Sequence, residues 1–163
     1  MYARVADAAV MATLPPWNQA VLDHHELVPA IVAHELVHYQ QRGGGGGTLL
    51  AQALREGTAD FAGELISGRR INTAAYEYGA AHERTLWQEF AGRMGGSTMD
   101  GFLYNGGQSS DRPADLGYVV GYRIARACHA RAADTREALR VLLTHRDAER
   151  ILRESGYAER FGP

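Results

Sequence analysis

The chain contains no lysine and only one cysteine, and each scarcity excludes a class of site. Cys128 alone cannot form an internal disulfide or supply a zinc site built from several thiolates. All 17 basic residues are arginine and the formal net charge is -2, so no basic excess indicates a nucleic-acid partner. No apolar run approaches the length of a membrane-spanning helix.

The N-terminus lacks the basic start and the long apolar segment of a signal peptide. Two localisations therefore stay open: a cytoplasmic protein, or a domain excised from a longer exported bacterial protein. The length of 163 residues suits one compact domain with a hydrophobic core. We therefore expect a single domain over residues 1–163, and the oligomeric state is not predicted.

Apolar spacing predicts a mainly α domain, α+β at most. Helices are expected over residues 29–41, 48–67, 74–94, 115–133, 134–145 and 147–155. A short strand is expected around residues 4–13. Gly43–Gly47 predicts a flexible loop between the first two helices, and such a run can also be an engineered replacement for a longer loop.

Local signals mark several helix ends. Asp115 is expected as an N-cap, and Asp134 begins a capping box that Glu137 completes. Gly68 and Gly156 are typical residues to end a helix.

The segment His34-Glu35-Leu36-Val37-His38 carries the main indication of chemistry. Residues four apart on a helix lie on one face, so both imidazoles can reach one tetrahedral zinc ion. Glu35 is rotated to the side of that face, where it can act on a metal-bound water. This is the HExxH pattern of metalloproteases, and the main alternative is a pair of ordinary core histidines.

A catalytic zinc needs a third protein ligand and one open position. Glu56, on the next predicted helix, is the expected ligand. Asp60 lies one turn later and can accept a hydrogen bond from the free ring nitrogen of a zinc-bound histidine. The alternative for Glu56 is a solvated helix carboxylate.

The pair Glu56 and Asp60 after HExxH resembles the gluzincins, zincins whose third ligand is a glutamate on a following helix. The segment Glu56-Gly57-Thr58-Ala59 also resembles the Glu-Gly-x-Ala signature of that group. The resemblance implies peptidase activity with one Zn²⁺ and a peptide or protein substrate.

The second half of the chain is also similar to an uncharacterised family of predicted bacterial zinc-dependent proteases, which is related to gliding-motility lipoproteins. The segments that carry this similarity are Tyr104–Gly106, Arg112–Ile124 and Ser155–Tyr157. The resemblance implies a zincin-like helical domain. Because few residues precede the zinc helix, the N-terminal sheet of zincins is expected to be reduced or absent.

Peptide hydrolysis also needs a group that stabilises the developing oxyanion. Tyr118 and Tyr122, one turn apart on a predicted helix, are the candidates, and Tyr104 is a weaker one. The alternative for each tyrosine is core packing. Arg112 either binds a substrate carboxylate or phosphate or hydrogen-bonds its own loop. His82, also a candidate for contact with the substrate, either hydrogen-bonds a metal ligand from behind or donates a proton.

Two other functions stay open. The same residues could hydrolyse a non-peptide amide or ester. Alternatively, the chain could be a catalytically silent zinc-binding interaction domain, which would need a fourth protein ligand from His24, His25, His82 or Glu64.

Overall fold

The computed structural model describes residues 8–13, 25–43, 47–106 and 111–162, and no strand occurs among them. The α-helices are α1 (Ala8–Met11), α2 (Val28–Gln40), α3 (Leu49–Ser67), α4 (Thr73–Ala81), α5 (Glu83–Ala91), α6 (Leu116–Arg131), α7 (Thr135–Thr144) and α8 (Ala148–Ser155). Short 3-10 helices span His25–Leu27 and Ala158–Phe161. The mainly α fold class is therefore confirmed.

Most predicted helix ends follow their local signals. The Thr48 hydroxyl accepts a hydrogen bond from the Ala51 backbone N–H at 3.2 Å and so caps α3. Gly68 ends α3 with φ 70° and Gly156 ends α8 with φ 63°, a backbone conformation that glycine adopts without strain.

Asp134 caps α7 as expected, since its Oδ1 accepts from the backbone N–H groups of Arg136 and Glu137. The Glu137 carboxylate accepts a hydrogen bond from Arg140 one turn later. The orientation of Glu137 is therefore set by Arg140, and not by the return hydrogen bond to the Asp134 backbone N–H that a capping box would have.

Two expectations about secondary structure were wrong. Residues 8–11 of the expected strand form helix α1, and residues 4–7 lie outside the described part. The expected long third helix is two helices that meet at His82, where φ is -121°. Gly79 lies inside α4, and a Cβ there would come within 2.7 Å of a Val119 methyl carbon. Gly79 therefore allows α4 to pack closely against Val119, and the helix ends three residues later, at His82.

Helices α3 and α6 cross in backbone contact at the centre of the fold. A Cβ on Gly121 would overlap the Ala53 carbonyl oxygen, and a Cβ on Gly57 would overlap the Tyr122 backbone nitrogen. No side chain fits at either position. This close crossing fixes α3, and with it Glu56, against α6.

The apolar core surrounds this crossing. The largest fully buried apolar side chains come from α3, α5, α6, α7, α8, the loop before α6 and the residue after Gly156: Leu49, Leu54, Phe90, Phe102, Leu116, Val119, Val120, Ile124, Leu142, Ile151 and Tyr157. Burial of such side chains contributes about 1.5–3 kcal/mol each. Among the described residues, no helix is long and apolar enough to span a membrane.

Helix α2 packs antiparallel on α3, because His34 lies against Gly63 while Gln41 bonds the carbonyl of Arg55. A Cβ on Gly63 would lie 3.2 Å from the His34 backbone nitrogen. The small residue at this point brings α2 close, and both motif histidines then reach α3.

Candidate metal centre

The two histidines of the HExxH motif converge on one point. His34 is 6% exposed and His38 is half-buried, and both rings extend from α2 toward α3. Their Nε2 atoms lie 3.0 Å apart. The spacing of four residues on one helix therefore brings both imidazoles to the same point.

Glu56 completes the cluster from α3. Its Oε2 lies 3.2 Å from His38 Nε2 and 3.7 Å from His34 Nε2. In a tetrahedral zinc site with bonds of about 2.0–2.1 Å, the ligand atoms lie about 3.3 Å from one another. The three separations fall around that value, so the triangle fits a zinc ion.

The proton positions also favour a cation. His34 Nδ1 is 2.7 Å from Asp60 Oδ1, and His38 Nδ1 is 2.7 Å from Gln41 Oε1. Both partners are acceptors, so each Nδ1 carries the hydrogen. In the neutral rings both Nε2 lone pairs then face the Glu56 carboxylate, and three acceptors converge without a donor. A metal ion satisfies all three.

Without a metal ion, protons must hold this cluster together. Burial alone would lower the pKa of His34, but hydrogen bonds with Asp60 and Glu56 outweigh it and raise the pKa to about 9. The bond with Glu56 likewise raises the pKa of His38. Burial tends to raise the pKa of Glu56, yet its hydrogen bonds with the two histidines keep it below the usual value. A bound metal would displace these protons.

Asp60 occupies the expected position behind His34, and the structure adds a residue that the sequence did not indicate. The Tyr76 hydroxyl donates to Asp60 Oδ2 at 2.6 Å. Asp60 is 4% exposed, and burial followed by the charge of Asp60 raises the pKa of Tyr76 well above its usual value. Tyr76 therefore stays a neutral donor that fixes the carboxylate.

Gln41 plays the matching part for His38 and was also missed. Its Nε2 donates to the Arg55 carbonyl at 2.8 Å, which directs Oε1 toward the histidine. The position one turn after His38 was the available signal, because residues three apart on a helix are neighbours.

Tyr104 reaches the cluster from the loop before α6. Its hydroxyl lies 3.1 Å from Glu56 Oε1 and 3.2 Å from Gln52 Oε1, and the residue is 58% exposed. Burial of the hydroxyl and the charge of Glu56 raise the pKa of Tyr104 to about 12, so it donates.

The backbone beside Tyr104 is held from both sides. Tyr104 has φ 59° and Asp115 has φ 61°, unusual values for residues with side chains. The Asn105 N–H donates to Asp115 Oδ1 and the Asp115 N–H to Asn105 Oδ1, at 3.0 and 2.8 Å. Asp115 is thus the residue before α6, as predicted, but its side chain ties the loop and does not cap the helix.

Of the two predicted oxyanion donors, Tyr118 lies beside the cluster. Its ring stacks near the His34 ring, with centroids 6.3 Å apart and planes 20° apart. Its hydroxyl makes no hydrogen bond within the described part of the chain. Burial, with the charge of Glu56, raises the pKa of Tyr118 far above its usual value, so this group also stays protonated.

The structure does not bring Tyr122 to the cluster. Its hydroxyl donates to Glu64 at 2.6 Å and accepts from Arg70 at 3.0 Å. Glu64 lies eight residues beyond Glu56, about 12 Å along the helix. The Arg70 guanidinium also lies 4.8 Å from the centre of the Tyr122 ring. Tyr122 is thus part of a separate polar contact.

Arg112 and His82 also lie outside the cluster. Arg112 forms two hydrogen bonds with Glu89, at 2.6 and 3.0 Å, and one with the Gly101 carbonyl. It thus follows the alternative in which it anchors its own loop. His82 is exposed, bonds the Tyr78 carbonyl at 2.9 Å and stacks on that ring.

Glu35 is exposed at the edge of α2 next to His34, and no described residue hydrogen-bonds its carboxylate. In the described ranges, the group able to hold a metal comprises His34, His38 and Glu56. Three protein ligands are typical of a catalytic zinc and leave one position for water or substrate. The side chains of His24 and His25 lie outside the described residues.

The chain matches no known family model, and neither the curated proteins nor the solved structures give a significant match.

Proposed function

We propose that the protein is a zinc-dependent hydrolase, most simply a peptidase, with one zinc ion held by His34, His38 and Glu56. The observation that carries this proposal is the convergence of three acceptor atoms with no donor between them. Their separations suit tetrahedral zinc, and the fourth position is left to a small molecule.

Zinc in such a site acts as a Lewis acid that acidifies water and polarises a carbonyl. The chain supplies the remaining groups. Glu35 is the general base: its exposed carboxylate takes a proton from the attacking water and passes it to the leaving amine. Its position one residue after a ligand keeps it beside the reacting atoms.

The oxyanion needs a donor that stays protonated at neutral pH. Tyr118 meets this condition, because its pKa is raised and its hydroxyl has no partner within the described part of the chain. Tyr104 is a second donor beside Glu56, and in this structure it binds that ligand. Tyr122 has no such role in this proposal, since Glu64 and Arg70 occupy its hydroxyl.

The ligand count and the base both favour a hydrolase over a silent zinc domain. A structural zinc has four protein ligands, and the two candidates for a fourth that the structure describes are bound elsewhere: Glu64 by Arg70, His82 by Tyr78. Hydrolysis of a non-peptide amide or ester would use the same residues, so only the substrate separates that function from peptidase activity.

The first test combines metal analysis with hydrolysis. Wild type should hold one zinc per chain, and His38→Ala should lose it. Glu35→Gln should keep the zinc but lose activity toward casein and a peptide library by about 10²–10⁴-fold. Glu149→Gln, an exposed glutamate of α8, is the matched control and should change neither.

Absence of zinc from the wild type after reconstitution would overturn the metal site. Zinc without hydrolysis of any peptide, amide or ester would leave the interaction domain as the function.

A further inference from the structure

A cleft separate from the metal cluster lies between α5, α6 and the C-terminal 3-10 helix. It is a cleft of about 340 Å³, lined by Glu83, Arg123, Arg126, Ala127, Ala130 and Arg160. None of these residues belongs to the metal cluster or contacts it. The cleft is basic, with three arginines and one glutamate, in a protein whose net charge is -2.

The spacing on α6 builds the cleft. Arg123, Arg126, Ala127 and Ala130 follow one another at intervals of three, one and three residues, and so share one face of the helix. The two alanines leave a hollow between the longer side chains. Arg160 closes the other side, and its guanidinium lies 5.4 Å from the centre of the Tyr157 ring.

One carboxylate oxygen serves several donors in this cleft. Glu83 Oε1 accepts from the Tyr157 hydroxyl at 3.1 Å and from Arg160 Nη1 at 3.1 Å. Arg123 Nη1 lies 3.2 Å from the same oxygen. Each guanidinium has five N–H groups and no acceptor, so the donors far outnumber the acceptors.

The buried part of this cluster is short of an acceptor. Arg123 Nη1 is inaccessible to solvent and lacks a hydrogen bond of acceptable geometry, although Glu83 is within ion-pair distance. Arg126 forms no direct ion pair with any described residue. Its charge contributes to the lowered pKa of Glu64, but only as the last and smallest of the causes. Within the cleft, three guanidinium charges face one carboxylate, an excess of two positive charges.

We propose that this cleft binds a small oxyanion with two negative charges, of the phosphate class. The reasoning mirrors that for the metal centre: there, acceptors converge without a donor, and here the guanidinium donors outnumber the single carboxylate that accepts from them. Guanidinium groups bind phosphate and carboxylate oxygens through paired N–H donors. The cleft can also hold such an anion with part of a larger organic group, because its volume exceeds that of a phosphate ion.

The test is calorimetric titration of the zinc-loaded protein with inorganic phosphate at constant ionic strength. Phosphate should bind at one saturable site. Arg126→Gln should weaken binding about tenfold, the effect of losing one charge-assisted interaction. Arg153→Gln, which removes an exposed arginine of α8 outside the cleft, should leave phosphate affinity unchanged.

Arg160→Gln provides a second variant, since Arg160 is also exposed and its loss should weaken phosphate equally. Sulfate, a tetrahedral dianion, should compete with phosphate for the site, and tighter binding of the dicarboxylate succinate than of either would contradict the phosphate class. Phosphate binding that does not saturate, or that Arg126→Gln weakens no more than Arg153→Gln does, overturns the proposal. Zinc content should be the same in all variants, so this outcome is independent of the metal centre.

Discussion

The Tyr104 hydroxyl donates a hydrogen bond to Oε1 of Glu56, the oxygen of that carboxylate that does not face the two histidines. A loop residue thus holds a helix residue at the metal centre. Because Tyr104 is the more exposed partner, its hydroxyl can be removed with little effect on the core.

Tyr104→Phe should therefore lower zinc affinity on the order of tenfold, the usual effect of losing a hydrogen bond to a ligand. Competition with a chromophoric chelator measures this. Tyr39→Phe, on an 83% exposed tyrosine of α2, is the control and should leave affinity unchanged. Equal affinities in the two variants would mean that the Tyr104 bond does not position Glu56.

Asp60→Asn should weaken zinc binding by about 10–100-fold, because the amide removes the negative charge behind His34 and allows the wrong tautomer. Tyr76→Phe should act in the same direction and less strongly, since it removes one of the donors to Asp60. The spectrum of the cobalt-substituted protein would report the change in coordination. If Asp60→Asn binds zinc as tightly as wild type, the carboxylate does not orient His34.

Removing the hydroxyl groups of Tyr118 and Tyr122, the two tyrosines of α6, should have different effects. Tyr118→Phe should lower kcat and leave zinc affinity unchanged, because its hydroxyl has no partner in the described chain and its ring lies beside that of His34. Tyr122→Phe should leave kcat unchanged and reduce the free energy of unfolding by about 1 kcal/mol, through loss of its bond to Glu64. Steady-state kinetics and urea unfolding on both variants decide this, and the reverse pattern would restore Tyr122 as the oxyanion donor.

Metal-free and zinc-loaded protein should respond oppositely to pH. In the metal-free protein the folded-state pKa of His34 is about 9, above the ordinary 6.5, so its contribution to stability is complete below pH 6.5. That contribution, on the order of 2–3 kcal/mol, is lost as pH rises through 9. Zinc requires neutral imidazoles, so its stabilisation grows over the same range.

Urea unfolding between pH 6.5 and 9.5, with chelator and with zinc, measures both curves. A metal-free protein whose stability stays constant over that range would contradict the ion pairing between His34 and its two carboxylates.

Gly121→Ala should destabilise the fold by several kcal/mol or prevent folding, because the added methyl group would overlap the Ala53 carbonyl. Gly92→Ala is the matched control: φ there is -65° and the nearest atoms to an added Cβ are 3.7 Å away. Thermal unfolding compares the two. A mild effect at Gly121 would mean that α3 and α6 separate without cost.

Much of the site could be predicted because its information is local. His34 and His38 share a helix face through backbone geometry alone, and Glu56 and Asp60 repeat that relation on the next helix. Capping by Asp134 and termination at Gly68 are also local, since each depends on the conformation of a few neighbouring residues. These features therefore do not depend on which elements the helices pack against.

Prediction from the sequence was less accurate where a residue can be held by either a local or a distant partner. The helix expected over residues 74–94 breaks at His82, while Gly79 lies inside α4 and packs against Val119. Asp115 was expected to cap α6, but its carboxylate instead accepts a hydrogen bond from the backbone N–H of Asn105. Local propensity cannot decide such competitions, because the competing partner is distant in the chain.

By itself, the sequence determined the mainly helical class, the pairing of His34 with His38, and the candidacy of Glu56 and Asp60, since helical periodicity acts over a few residues. Only the tertiary structure decided which tyrosines lie at the cluster: Tyr118 through its ring and Tyr104 through its hydroxyl, but not Tyr122. It also gathered Arg123, Arg126 and Arg160 into one cleft, which an arginine count could not indicate. Each of these outcomes depends on how α3, α5 and α6 cross, and contacts between residues far apart in the chain fix that crossing.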